Sequence, residues 1–181
     1  ILRRFVELCG GPTSRIKVIS AASSEPVLSW YKYQTVFSEL GVGDCLPVPI
    51  PDREAANSDS VIDGILDADG IFITGGDQRR LMELTWETAA FRALHVAFHV
   101  RGCCIGGTSA GAAVLSRNML AHGEATRLPE KEAAELDIGL GLISGAIIDQ
   151  HFSERGRLGR LLSVLAESPS RLGVGVDEDT A

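Results

Sequence analysis

The chain has 181 residues, of which 45% are hydrophobic and 23% are charged. This length corresponds to one compact domain, and the composition is typical of a globular protein and excludes a disordered one. The net charge of −7 argues against nucleic acid or a membrane surface as a partner, and no apolar run is long enough to span a membrane.

Short apolar runs alternate along the chain with stretches of helical periodicity. Buried strands are predicted at 16–21, 69–74, 102–106 and 146–148. Helices are predicted at 27–40, 55–66, 81–100 (one helix or two), 110–116 and 156–166. The proline-rich segment 46–51 predicts an edge strand or an extended loop, and the polar segment 122–137 a loop or a short hairpin. The alternation predicts an α/β fold with a mostly parallel sheet, helices on both faces, and ligands beyond the carboxyl ends of the strands.

The strand predicted at 102–106 leads into a G-x-S-x-G pattern, GTSAG, at 107–111. A serine between a strand and a helix is typical of a nucleophile elbow, where glycines allow a sharp turn and the helix N-terminus favours developing negative charge. Ser109 is therefore the candidate nucleophile. The alternatives are a plain glycine-rich turn with Ser109 as helix cap, and a phosphate-binding loop, which the missing Walker lysine disfavours.

The strand predicted at 69–74 ends in a second glycine-rich turn, TGGDQ, at 74–78. An oxyanion hole combines the N–H after the nucleophile with one from another strand-end loop, so Ala110 and Gly76 are the predicted donors. Gln78 is a candidate substrate contact. The alternative is a simple turn in which Asp77 caps the following helix.

The strand predicted at 146–148 is followed by DQHFSERGRLGR at 149–160. His151 follows the serine in the chain order of a hydrolase and is the candidate base, with His122 a weaker rival. Extended backbone is expected to direct Asp149 and His151 to one side and Gln150 to the other. The arginines of this segment are predicted to hold a carboxylate-bearing substrate or, alternatively, to line a solvated helix face: Arg155, Arg157 and Arg160.

No metal and no cofactor are predicted. His95 and His99 have helical spacing, but no third ligand accompanies them, and a surface helix face is the simpler interpretation. The four cysteines form no C-x-x-C pair and are interpreted as small apolar residues of a reduced, cytoplasmic protein.

Three motifs together resemble the cyanophycinases, which belong to a serine-peptidase family that also contains peptidase E. These motifs are GGDQ at 75–78, GGTSAGA at 106–112 and DQHFSERGRLGRL at 149–161. The resemblance implies a homodimeric flavodoxin-like sandwich related to class I glutamine amidotransferases. It also implies hydrolysis of cyanophycin, a poly-aspartate backbone with arginine on each β-carboxyl, to β-aspartyl-arginine dipeptides.

The resemblance carries site roles onto matching residues. Ser109 becomes the nucleophile and His151 the base, while the substrate or scaffold groups are Gln78, Asp149, Gln150, Arg155, Arg157 and Arg160. No motif supplies the acid of the triad. Glu124 is chosen because its spacing after the serine resembles that of the acid in peptidase E, with Asp149, Glu130 and Glu132 as alternatives.

Two other functions stay open at this point. One is an aspartyl dipeptidase of the peptidase E type, which needs the same triad and no arginine cluster. The other is a catalytically inert binding homologue. Because the resembling enzymes are longer at both ends, we expect residues 1–181 to be a single peptidase domain truncated at both ends, so that secretion through a missing leader stays open.

Overall fold

The computed structural model describes residues 1–126, 128–130 and 134–181. The chain forms two compact units, Ile1–Gly111 and Ala112–Ala181. Among the described residues, no helix is both long enough and apolar enough to cross a membrane. Glu132, an alternative for the triad acid, lies outside the described residues.

The first unit is built on a four-stranded parallel sheet with the strand order β2-β1-β3-β4. Its strands are β1 (Arg15–Ile19), β2 (Asp44–Pro47), β3 (Gly70–Ile73) and β4 (Cys104–Gly107). Its helices are α1 (Leu2–Leu8), α2 (Pro26–Glu39), α3 (Asp59–Leu66), α4 (Gln78–Thr85) and α5 (Ala89–His99). The predicted α/β class with a parallel sheet is therefore confirmed.

The strand order explains why helices flank both faces of this sheet. The connection from β1 to β2 runs in one direction across the sheet, and the connections to β3 and β4 run in the other. Since parallel crossovers are right-handed, α2 lies on the opposite face from α3 and α5. The direction changes between β1 and β3, and the crevice at such a switch point is where open α/β sheets bind ligands.

One face of the sheet carries an aromatic core. The rings of Phe5, Phe37 and Phe72 pack edge-on or tilted, with centroids 5.5–5.9 Å apart. Phe5 lies on α1, a helix that was not predicted from the sequence pattern. The segment 46–51 was predicted as an edge strand or an extended loop. Its first two residues belong to the edge strand β2, which begins earlier, at Asp44, and residues 48–51 lie outside the strand. The helix predicted at 55–66 was too long, because Ala55–Asn57 form a 3-10 turn before α3.

The described residues of the second unit form four strands and one long helix. They are β5 (Asn118–Gly123), β6 (Ala134–Ile138), β7 (Ala146–Gln150), α7 (Leu158–Glu167) and β8 (Leu172–Val176), while a short helix, α6 (Ala110–Ala113), follows β4. β5 and β6 pair antiparallel, which confirms the predicted hairpin. α7 connects the parallel strands β7 and β8.

The strand β8 was not predicted, because glycine interrupts its apolar pattern. Its glycines serve close packing. A Cβ on Gly175 would lie 2.5 Å from the ring of Phe152, and one on Gly173 would lie 2.6 Å from Leu165. Such distances are below van der Waals contact, so side chains at these two positions would push neighbouring residues away from the strand. β8 therefore exists because of tertiary packing rather than local propensity.

Candidate active site

Ser109 lies at a sharp turn between β4 and α6. Its φ of +52° is the left-handed conformation, which residues other than glycine seldom adopt. The turn is held by backbone hydrogen bonds, in which the Thr108 N–H donates to the carbonyl of Ile73 (3.1 Å) and the Gly111 N–H donates to that of Thr108 (2.9 Å). A strained serine between strand and helix is the geometry of a nucleophile elbow.

The last glycine of the GTSAG motif is required by close backbone approach. A Cβ on Gly111 would lie 2.1 Å from the carbonyl oxygen of Ile73 on the neighbouring strand β3. No side chain could be accommodated there without moving backbone, because the group in the way is a peptide carbonyl. The motif thus contains glycine at 111 because the start of α6 lies directly against the end of β3.

The predicted oxyanion loop borders the serine. A Cβ on Gly75 would lie 3.3 Å from the Cβ of Ser109 and 3.8 Å from its Oγ. Gly76 has a φ of +145°, and a Cβ there would lie 2.0 Å from the carbonyl oxygen of Ala22. Ala110 is the first residue of α6, where N–H groups have no partner within the helix. The oxyanion roles of Gly76 and Ala110 stay predictions, and this proximity supports them.

Tyr33 supports the turn and was missed by the sequence analysis. It lies on α2, and its ring centroid is 4.7 Å from that of Phe72. Burial raises the pKa of the Tyr33 hydroxyl, and a hydrogen bond with Thr108 opposes this rise. The only signal in the sequence was its spacing from Trp30 and Phe37, which places Tyr33 on the buried side of the helix.

Gln78, a predicted substrate contact, is the first residue of α4. The preceding Asp77 caps this helix, since its carboxylate accepts a hydrogen bond from the Arg79 N–H (2.9 Å). The alternative interpretation of the turn, with Asp77 as cap, is therefore confirmed. It is compatible with a substrate contact by Gln78, which stays a prediction.

The candidate base His151 follows β7 and hydrogen-bonds to a carboxylate. Its Nδ1 pairs with Oε1 of Glu178, and Oε2 of Glu154 lies 3.9 Å from the same nitrogen. The side chain is 29% exposed. The expected alternation of Asp149 and His151 on one side is wrong, because β7 ends at Gln150 and His151 turns to a φ of +51°.

Glu178 was not among the predicted triad acids. It lies two residues after β8, and β7 pairs with β8 so that Gln150 is opposite Val176. The carboxyl ends of adjacent parallel strands lie side by side, which brings His151 next to residues 177–178. Recognising the glycine-interrupted strand at 172–176 would have found this neighbour. The hydrogen bond from His151 lowers the pKa of Glu178 to about 2, so the carboxylate is ionised at neutral pH.

The acid chosen from the sequence was Glu124, which is exposed just after β5. Its catalytic role stays a prediction. Of the alternatives, Glu130 is exposed and its backbone N–H donates to Oγ of Ser163 (3.0 Å). Asp149, the other alternative, is buried in an ion pair described below.

The segments that carry His151 and Glu178 are joined by hydrogen bonds from two backbone N–H groups. The Phe152 N–H donates to the carbonyl of Val176 (3.3 Å), and the Ser153 N–H donates to Oδ1 of Asp177 (2.6 Å). Hydrogen bonds from the Ser153 hydroxyl and from its backbone N–H lower the pKa of the Asp177 carboxyl. The Asp177 N–H in turn donates to Oγ1 of Thr180 (2.9 Å). The imidazole and the carboxylate thus stand on two turns that the backbone itself holds in place.

Two of the three candidate arginines are buried and paired. Arg160 bonds Asp149 through two nitrogens, with Nε 2.8 Å from Oδ2, and its Nη1 donates to the carbonyl of Gly123 (2.7 Å). Arg157 donates to the carbonyl of Gln150, and its Nη1 lies 3.5 Å from Oδ1 of Asp149. Burial lowers the pKa of Arg157.

This network favours a supporting role for these residues. Asp149 is 1% exposed and Arg160 is 4% exposed, so their charges compensate each other inside the unit. Arg155, in contrast, is exposed in the turn before α7. Substrate binding by the three arginines, Asp149 and Gln150 stays a prediction, and Arg155 is the member of the set with a side chain in solvent.

We expect the Asp149→Asn substitution to lower the free energy of unfolding by about 3–5 kcal/mol, because it leaves the Arg160 guanidinium buried beside a neutral amide. Denaturant titration measures this loss. The control is Arg155→Met, which removes an exposed charge and should change stability by no more than about 0.5 kcal/mol. A loss below about 1 kcal/mol for Asp149→Asn would contradict the supporting role.

Comparison with known proteins identifies the family of the chain. A family model described as peptidase family S51 matches residues 1–181. Proteins named cyanophycinase from Geminocystis herdmanii (strain PCC 6308) and Synechococcus elongatus are each 38% identical to this chain over 180 residues, or 99% of the chain. The chain spans 66% and 56% of the length of these two relatives.

A solved structure shows the same fold. The crystal structure of a peptidase from an acI-B1 Actinobacterium matches 97% of this chain and 72% of its own, with a TM-score of 0.68 and 19% identity. At this identity the likeness supports the α/β fold alone. The family match over the whole sequence confirms the resemblance that the strand-end motifs carry, and the chain belongs to peptidase family S51.

Proposed function

We propose that the protein is a serine-type exopeptidase that hydrolyses cyanophycin to β-aspartyl-arginine dipeptides. The observation that carries the proposal is the hydrogen bond between His151 Nδ1 and the ionised Glu178 carboxylate, in a chain whose relatives are named cyanophycinase. A carboxylate at Nδ1 selects the imidazole tautomer with its lone pair on Nε2, which is the form a general base needs. The strained turn at Ser109 supplies the nucleophile.

The reaction follows the acyl-enzyme course. His151 Nε2 accepts the proton of the Ser109 hydroxyl while Oγ attacks the aspartyl carbonyl carbon. The N–H groups of Ala110 and Gly76 stabilise the oxyanion that forms. The proton on Nε2 then passes to the leaving amine, the C–N bond breaks, and water hydrolyses the ester by the same path. Glu178 takes the orienting role for which Glu124 was expected.

Substrate recognition needs cations as well as acceptors. Each unit of cyanophycin presents a free carboxylate on its arginine, and an acidic protein must supply the donors locally. Arg155 follows the base by four residues and is exposed. A guanidinium can bind a carboxylate through two parallel hydrogen bonds, so Arg155 is the proposed partner of this group. The side-chain amides of Gln78 and Gln150 are the proposed hydrogen-bonding partners of the poly-aspartate backbone of the substrate.

We expect Arg155→Met to lower kcat/KM for cyanophycin by roughly ten- to 150-fold, which corresponds to a loss of about 1.5–3 kcal/mol of charge-assisted hydrogen bonding. Methionine keeps the bulk and removes the charge. Labelling of Ser109 by a fluorophosphonate should be unchanged, because that small probe has no carboxylate to bind. Arg3→Met, which removes an exposed charge on α1, is the matched control. Equal losses on polymer and probe would mean that Arg155 supports the fold rather than binds substrate.

The experiment that tests the function compares substrates. Cyanophycin and a set of Asp-X dipeptides are incubated with the protein, and the products are identified by mass spectrometry. Release of β-aspartyl-arginine with little cleavage of the dipeptides is the expected result. A preference for the dipeptides would establish the peptidase E type instead. A folded protein that cleaves neither and never reacts with a fluorophosphonate would be an inert binding homologue.

The proposal includes a homodimer in the cytoplasm. All four cysteines are free thiols, as in proteins of a reducing compartment: Cys9, Cys45, Cys103 and Cys104. The homodimer rests on the resemblance to cyanophycinases, and light scattering of the purified protein tests it. A monomer mass at all concentrations would contradict this part of the proposal.

A further inference from the structure

A second carboxylate lies beside the candidate catalytic pair. His151, Glu154 and Glu178 each offer one metal-ligating atom, and these three atoms lie within 4.8 Å of one another. We call these residues the His151 cluster. Glu154 Oε2 is 3.9 Å from Nδ1, the same nitrogen that pairs with Glu178.

The charges of the cluster are not balanced by its own groups. One oxygen of each of the two carboxyls lies within 4.8 Å of the other and of the imidazole nitrogen. One Nδ1–H can satisfy only one of them, and two carboxylates this close repel each other unless a cation or a proton lies between them. A catalytic dyad needs one carboxylate at Nδ1, so the second carboxylate is unexplained by the reaction.

We propose that the His151 cluster is a binding site for a divalent transition-metal ion such as Zn²⁺, and that this ion reversibly inhibits the peptidase. One imidazole and two carboxylates, with water in the fourth position, are a ligand set that Zn²⁺ accepts. The inhibitory part of this inference rests on the proposed function, whereas the metal site itself does not.

Metal binding and general-base catalysis require opposite tautomers of His151. In the catalytic form Nδ1 holds the proton and donates it to Glu178, and Nε2 carries the lone pair. An ion bound at Nδ1 takes the lone pair on that nitrogen, so the single proton of the neutral ring moves to Nε2. Nε2–H cannot accept the serine proton. Binding therefore blocks the base without any change in the charge of the ring, and removal of the ion restores it.

The site is preorganised by the fold. Glu154 belongs to the turn after β7 and Glu178 to the turn after β8, and the bond from Ser153 N–H to Asp177 joins these two turns. The backbone therefore keeps both carboxylates near the imidazole in the metal-free protein. A preformed site binds an ion more tightly than one that must be ordered first.

Calorimetric titration of the chelator-treated protein with zinc chloride tests the site directly. We expect Glu154→Gln to weaken zinc binding about ten-fold or more, since a neutral amide replaces an anionic ligand. The matched control is Glu167→Gln on the exposed end of α7, which should bind zinc as the parent protein does. His99→Asn identifies any heat that comes from the His95/His99 pair of α5. Zinc affinity of Glu154→Gln within two-fold of the parent would overturn the proposal.

Inhibition is measured separately, as the ratio of rates with and without zinc for each variant. Dipeptide release by the parent should fall with zinc and return on addition of chelator, and Glu154→Gln should need about ten-fold more zinc for the same fractional loss. Zinc that binds at the His151 cluster without slowing dipeptide release would overturn the proposed inhibition. A protein inactive on cyanophycin even without metal would overturn the proposed function, while the calorimetric result would still decide the metal site.

Discussion

Replacing Ser109 by alanine is expected to lower kcat for dipeptide release from cyanophycin by about 10⁴- to 10⁶-fold. The substitution removes the oxygen that forms the acyl-enzyme. The residual rate should come from binding and oxyanion stabilisation alone. Covalent labelling by a fluorophosphonate should disappear as well.

The control for Ser109→Ala is Ser24→Ala, which removes an exposed hydroxyl from the same unit. It should retain full activity and labelling. Alanine is close to serine in size and adopts the same turn at similar cost, so the unfolding transition of Ser109→Ala should lie near that of the parent. Equal dipeptide release by the parent and Ser109→Ala would exclude Ser109 as the nucleophile.

Glu178→Gln is expected to lower kcat by about 10⁴-fold, the effect of neutralising the carboxylate behind a catalytic histidine. The amide presents an N–H to Nδ1 and so favours the tautomer that has its proton on Nε2. KM should change little, because Glu178 contacts His151 rather than substrate. Glu124→Gln is the decisive comparison. If it loses activity while Glu178→Gln keeps it, the acid chosen from spacing was right and the structural assignment is wrong.

The same pair gives a dependence of stability on pH. The pKa of Glu178 is lowered from 4.5 to about 2 by its hydrogen bond with His151. A carboxyl with a depressed pKa in the folded state contributes its full stabilisation above 4.5, and this contribution declines as the pH falls toward 2. Unfolding curves of the parent and Glu178→Gln should therefore approach each other progressively as the pH falls from 4.5 to about 2. Curves that stay equally far apart down to pH 2 would contradict the lowered pKa.

The roles of the three arginines could not be separated from the local sequence alone. Three arginines in six residues of an acidic chain indicated an anion site, and sequence spacing could not separate substrate contacts from structural pairs. Asp149 accepts from Arg160 across 11 positions of the chain, and Arg160 also reaches the carbonyl of Gly123, 37 positions away. These partners are set by packing of α7 against β5 and β7. Only Arg155 is left exposed, and that distinction required the folded structure.

The helices and strands likewise fall into those that the local sequence predicted and those that only the folded structure revealed. Apolar runs such as 69–74 predicted buried strands correctly, because a short β-branched stretch between turn residues has few other stable states. α1 and β8 were missed, since neither has a strong local pattern. β8 contains two glycines that pack against Phe152 and Leu165. Its conformation is a consequence of neighbours that are distant in sequence.

The sequence by itself determined the turn at Ser109, because each requirement of a nucleophile elbow is local: a strand, a serine flanked by small residues, and the start of a helix. It also determined that His151 follows a strand end. Only the tertiary structure decided which carboxylate meets this histidine. Glu178 is 27 residues further along the chain and reaches Nδ1 because β7 and β8 pair in parallel with their carboxyl ends together. Strand pairing depends on non-local packing, which spacing along the chain does not encode.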